Sequence, residues 1–176
     1  RLAEGKTPLT PEEIPDAAQK IGYGAVKYFD LRQNPVTNYV FSYDRMLDTR
    51  GDTAVYLLFA HARLASIVRK AEEEKGINMD DLRANGEIIL KHAAERALAF
   101  ELLQFGDVVH AVLKYLMPNK ICEYLRDLAA KFTEFVTQCK VLDSPEQNSR
   151  LLLCDATGVV MRQLFHFLGI SPLHKI

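Results

Sequence analysis

One segment limits the folds open to this chain more than any other: residues 52 to 74, where apolar side chains recur on a helical period for about six turns. Gly51-Asp52-Thr53 opens the segment with residues that favour a helix start, and Gly76 breaks it. Leu57, Leu58, His61, Leu64, Ala65 and Val68 fall on one mainly apolar face that needs to bury. Tyr56, Arg63 and Lys70 are spaced at seven, close to two full turns, so a ring and two cations share the other stripe. His61 stands about 140° around the helix from Tyr56, among leucines and alanines. It reads as a packed, hydrogen-bonded core histidine rather than a ligand.

The rest of the chain repeats the helical pattern and nowhere sustains period-2 alternation, so the fold class is an all-α bundle. Pro8, Pro11 and Pro15 keep the start irregular, and Thr10-Pro11-Glu12-Glu13 supplies an N-cap, an N1 proline and an acidic first turn. A helix is expected from Pro11 to Leu31, its Gly22 and Gly24 pointing to close approach of another backbone. Asn34-Pro35 is a turn, Tyr39 to Phe41 an extended apolar lead-in, and Ser42 the cap of a brief helix ending near Gly51. Beyond Gly76, Asp80-Asp81 starts a short turn. Asn85 to Leu103 reads as a helix with Glu87 and Lys91 paired at i, i+4. Phe105-Gly106-Asp107 marks a corner before a helix from Asp107 to Leu116. Pro118 opens a long helix to Cys139, Asp143-Ser144-Pro145 is a surface loop, and Gln147 to Leu168 is the last helix, closed by Gly169 and Pro172. We divide the chain into a connecting region, residues 1–50, and a helical domain, residues 51–176.

A length of 176 residues holds one sizeable core, and 48% hydrophobic with 26% charged residues is an ordinary soluble composition. No apolar run approaches the roughly 20 residues that span a bilayer, and Arg1 to Thr10 lacks the apolar centre of a secretory signal. The absence of an initial methionine suggests a piece of a longer protein. Cys122, Cys139 and Cys154 form no C-x-x-C pair and read as buried free thiols of a reducing compartment. A net charge of −1 excludes a uniformly basic surface but leaves room for a local cationic cluster. A core-anchored helix that shows a ring and fixed cations to solvent suits a flexible polyanion with splayed bases, such as RNA.

The run F-S-Y-D-R-M-L-D-T-R-G-D-T-A-V-Y-L-L-F-A-H-A-R, from Phe41 to Arg63, is similar to the junction between catalytic core and anticodon-binding domain in arginyl-tRNA synthetases of the cytosolic type. The likeness extends upstream through Gly22 to Leu31, and downstream through Phe132-Thr133-Glu134-Phe135, Arg150 to Cys154 and the Leu168-Gly169-Ile170-Ser171-Pro172 close. It therefore covers nearly the whole chain.

That resemblance implies an anticodon-arm-binding helical domain belonging to a class I arginine–tRNA ligase. The family's H-I-G-H-like and K-M-S-K-S-like signatures lie outside these residues, so this portion is expected to carry no catalytic residue and no cofactor of its own. ATP, Mg2+ and arginine would be bound elsewhere in the parent enzyme. The implied partner is tRNA(Arg) and the implied location the cytoplasm, with no membrane contact. Attachment to a multi-synthetase assembly is left open.

By the same resemblance Tyr56 is a stacking platform for an anticodon-loop base; packing at a domain junction is its plainer reading. Arg63, Arg69 and Lys70 are candidate phosphate contacts, as are Arg150 and Arg162 on the final helix, a solvated charged face being the ordinary alternative. Ile176, at the chain end where relatives often carry methionine, is a candidate apolar contact to a base. Val136 departs from the tyrosine that many relatives carry there, and valine cannot stack. Two readings from other classes compete. A di-iron bundle needs Glu-x-x-His pairs, and only Asp107 and His110 have that spacing. A helical protein-interaction module without RNA contact would dock through residues 147–168.

Overall fold

The computed structural model describes residues 9–48 and 51–175; Pro8 and Ile176 lie outside them. Eight α-helices and no strand occur among the described residues. They are α1 (Ile14–Leu31), α2 (Tyr43–Met46), α3 (Ala54–Lys75), α4 (Met79–Asn85), α5 (Ala93–Leu103), α6 (Phe105–Tyr115), α7 (Asn119–Gln138) and α8 (Gln147–Phe167).

The central helix is α3. Thr53 caps it, its hydroxyl accepting from the Tyr56 N–H at 3.3 Å, which leaves Asp52 just outside the helix. Gly76 closes it at φ 65°, with the Ile77 N–H returning to the Ala71 carbonyl. Leu57, Leu58 and Leu64 bury completely against α1, α7 and α8, where Leu128, Phe132 and Phe135 of α7 and Leu151, Met161 and Phe165 of α8 complete the core. Each such side chain contributes roughly 1.5–3 kcal/mol of burial. Gly158 permits the α3–α8 contact, since a Cβ there would stand 2.9 Å from Leu64 Cδ2. The same burial answers the reading of residues 147–168 as a docking helix: α8 spends its apolar face in the core.

Several boundaries differ from the sequence expectation. Residues 11–13 form a turn before α1, tied by Glu13 N–H to the Thr10 carbonyl, and Pro15 sits inside the first turn. Ser42 caps α2 as expected, but the helix ends at Met46. The largest difference lies at residues 86–92, which are irregular rather than helical. There Ser149 of α8 both donates to the Ile89 carbonyl and accepts from the Ile89 N–H, replacing a helix ladder. His92 then starts α5: its Nδ1 accepts from the Ala94 N–H, and Glu95 accepts from the His92 N–H. With no helix there, Glu87 and Lys91 do not pair; Lys91 reaches Glu146 at 2.9 Å. The α5–α6 corner falls at Gln104, so α6 begins two residues earlier than expected.

Gly24 admits side chains rather than a backbone, because a Cβ there would stand 3.2 Å from Ile170 Cγ2, and Gly22 faces open space. All three cysteines are free and buried. Burial pushes the Cys122 and Cys154 thiols up to about 12.

Candidate nucleic-acid interface

Tyr56 lies in the first turn of α3, where the Thr53 cap fixes the backbone and α7 flanks the ring. The ring is half-buried and packs on the core edge. Its hydroxyl lies 3.3 Å from Thr133 Oγ1, and Thr133 donates its own proton to the Ala129 carbonyl at 2.8 Å. Tyr56 is therefore the donor, and one end of the ring is tethered to α7. Val136, one turn beyond Thr133, is half-buried against the core and offers no stacking surface beside the ring. Arg63 and Lys70 are exposed on the stripe that continues from Tyr56, and neither pairs with an acid among the described residues. A tethered ring followed by two unpaired cations can stack one base and meet phosphates along roughly 20 Å of helix surface.

The structure does not bring the remaining candidate cations to that stripe. Arg69 points about 120° around α3 from Arg63 and donates to the His174 carbonyl at 3.4 Å. Arg162 is exposed on α8, its guanidinium beside Gly158 and so on the Leu64 side of α3. Arg150 is a correction. Its side chain is only 12% exposed, with Nε donating to Glu95 at 2.7 Å, Nη1 to the Lys140 carbonyl at 2.8 Å and Nη2 facing Glu146 at 3.5 Å. A guanidinium committed to these three partners is tied into the fold, which leaves it poorly placed for a phosphate. Burial pushes the Glu95 carboxyl upward, but the His92 N–H and Arg150 outweigh it and leave it below the usual carboxylate range.

Residues 57–176 match the family described as DALR anticodon binding domain. The chain belongs to that family. Two arginine–tRNA ligases of Arabidopsis thaliana, one chloroplastic/mitochondrial and one cytoplasmic, are each 52% identical to it over 167 residues, 95% of this chain. The aligned part is 25% of the first relative and 28% of the second, so the chain spans little more than a quarter of their length. A solved arginyl-tRNA synthetase from Plasmodium falciparum superposes with a TM-score of 0.83 at 34% identity, covering 93% of this chain and 28% of that one. The all-α class and the resemblance read from the sequence both hold.

Within the DALR domain His61 is scaffold, as its neighbours in sequence suggest. It is fully buried, its Nδ1–H donates to the Leu173 carbonyl at 2.8 Å, and its ring meets Phe165 edge-on at 5.9 Å. Nε2 has no partner among the described residues, which the neutral tautomer tolerates. What the sequence reading missed is the polar cluster that joins the DALR domain to α1. Tyr28 donates to Asp52 at 2.6 Å, Arg32 bonds both the Asp52 carboxylate and its backbone carbonyl, and Arg126 of α7 stands 4.0 Å away. The signal was present in Gly51-Asp52-Thr53, where a second acceptor precedes a threonine that already suffices as cap.

Proposed function

We propose that this chain is the part of an arginine–tRNA ligase that grips the anticodon arm of tRNA(Arg), while arginine and ATP bind elsewhere in the parent enzyme. Family membership supports the anticodon arm as ligand. The observation that carries the site is the Tyr56 ring, half-buried and tethered to Thr133, with Arg63 and Lys70 on the same stripe and unpaired among the described residues. In the parent, a correct anticodon held here orients the distant acceptor end, so binding energy gained on α3 appears as productive positioning elsewhere. Ile176 and Arg162 are proposed as secondary contacts, and Arg69 as a phosphate contact only where RNA wraps past the Arg63 stripe.

Among the described residues there is no group of three or more His, Cys, Asp or Glu side chains that could hold a metal ion, and we assign ATP and Mg2+ to the parent enzyme's other part. We further read residues 1–50 as the connecting region and 51–176 as the anticodon-binding unit. The cytoplasm is our reading of the parent's compartment, supported by one of the two Arabidopsis relatives. No described helix is long and apolar enough to cross a membrane.

The test is Tyr56→Ala in the full-length enzyme. Loss of one stacked base, roughly 1–3 kcal/mol, raises KM for tRNA about 5- to 150-fold. KM for arginine and for ATP stays within about twofold. An unchanged KM for tRNA would reduce Tyr56 to junction packing.

A further inference from the structure

Asp52 lies just before the Thr53 cap of α3, four residues ahead of Tyr56, and its carboxylate meets groups from α1 and α7. Tyr28 of α1 donates its hydroxyl to one oxygen at 2.6 Å. Arg32, the residue that closes α1, donates to the other oxygen at 3.0 Å and to the Asp52 carbonyl at 2.8 Å. Arg126 of α7 approaches the same oxygen at 4.0 Å, and the Tyr28 hydroxyl also lies 3.1 Å from the Cys122 carbonyl of α7.

Asp52 is not needed as a helix cap, because Thr53 performs that role. Its carboxylate is thus committed to tertiary ties. Arg126 and Thr133 are seven residues apart on α7 and so share a stripe. That stripe faces α3 at two levels: Arg126 toward Asp52, and Thr133 toward Tyr56. The two ties differ in strength. The bond from Tyr56 to Thr133 is neutral and long at 3.3 Å, whereas the Asp52 ties are charge-assisted and only 32% of that side chain is exposed. A single weak bond at the ring's tip does not by itself set the ring's angle. The stiffer clamp one turn earlier sets the angle from which α3, and the ring with it, leaves the α1–α7 junction.

We infer that Asp52 is a positioning residue for RNA binding: its clamp on Tyr28 and Arg32 holds the Tyr56 ring at the angle where an unstacked base packs on it. This rests on the Tyr56 platform proposed above, and Asp52 itself touches no RNA.

The experiment uses the full-length enzyme. Asp52→Asn keeps the size and an acceptor for Tyr28 while removing the charge that holds Arg32. It raises KM for tRNA about tenfold, most of one stacking contact, and leaves kcat at saturating tRNA and KM for arginine and ATP within about twofold. Tyr28→Phe, which keeps the buried ring, shifts KM for tRNA in the same direction by a smaller factor and covers the case in which Asp52→Asn fails to fold. In a Tyr56→Ala background Asp52→Asn adds nothing, because both changes remove one platform. Persistence of its full effect in that background would overturn the inference, as would an unchanged KM for tRNA in folded Asp52→Asn and Tyr28→Phe. The two proposals separate cleanly. A normal Asp52→Asn beside an impaired Tyr56→Ala removes the clamp alone, and a normal Tyr56→Ala removes the platform and the clamp with it.

Discussion

Replacing Arg150 by alanine separates structural cations from RNA-facing ones. The Arg150 side chain is 12% exposed and the Glu95 side chain it meets at 2.7 Å is fully buried, so water can do little to compensate for the loss. Breaking a buried pair by deleting one partner costs roughly 3–5 kcal/mol, because an uncompensated charge remains. Here the His92 N–H still donates to Glu95 at 2.7 Å, which places the cost near the lower end, about 3 kcal/mol. Glu146 adds little, since Lys91 also neutralises it. At roughly 2–4 °C per kcal/mol for a domain of this size, Tm falls by about 6–12 °C. The double change Glu95→Gln with Arg150→Met should recover more than half of that loss, because a neutral pair leaves no buried charge and glutamine still completes the cap. Circular-dichroism melts at pH 7 measure the stability, and tRNA titration well below Tm measures binding by the folded molecules. Binding should be unchanged. A Tm shift under about 2 °C, together with a loss of tRNA affinity matching that of Arg63→Ala, would refute the structural assignment and return Arg150 to the interface.

Three further outcomes follow from the same geometry. Arg63→Ala and Lys70→Ala should each flatten the dependence of log affinity for tRNA on log salt by about 0.7–1, whereas Arg69→Ala should leave that slope alone; equal slopes for all three would dissolve the stripe. Burial lowers the His61 pKa from 6.5, His174 and Arg162 adding to the effect against the Leu173 carbonyl. Its contribution to stability is therefore complete above pH 6.5 and lost as pH falls through 6.5 toward the folded value, so denaturation midpoints in wild type should drop more steeply from pH 7 to 5 than in His61→Gln. Gly22→Ala, in open space within α1, should stabilise by about 0.5–1 kcal/mol, while Gly24→Ala, whose Cβ would stand 3.2 Å from Ile170, should gain less or lose; urea unfolding of the pair reads the difference.

The all-α class, the long central helix and its closure at Gly76 were legible in the sequence because they follow from local physics. A 3.6-residue period, a threonine with an acceptor oxygen at the cap and a glycine able to take φ 65° depend on neighbours only a few residues away. The Tyr56–Arg63–Lys70 stripe was legible for the same reason. Residues 86–92 were not. Their composition allows a helix, and what prevents one is Ser149, 60 positions along the chain, which takes both backbone groups of Ile89.

Charge followed the same division. Sequence shows that Arg63, Arg69, Lys70, Arg150 and Arg162 are cations on helices, but a cation's availability depends on which acids the fold brings to it. Tertiary packing spent Arg150 on Glu95, turned Arg69 to the His174 carbonyl and left Arg63 and Lys70 unpaired among the described residues. It likewise made a junction of Asp52, which the sequence displays only as part of a helix start. The sequence by itself determined the helices and the face each must bury. Only the tertiary structure decided which polar groups were left over for a partner, because pairing between residues 20 to 100 positions apart is a property of packing and leaves no local pattern to read.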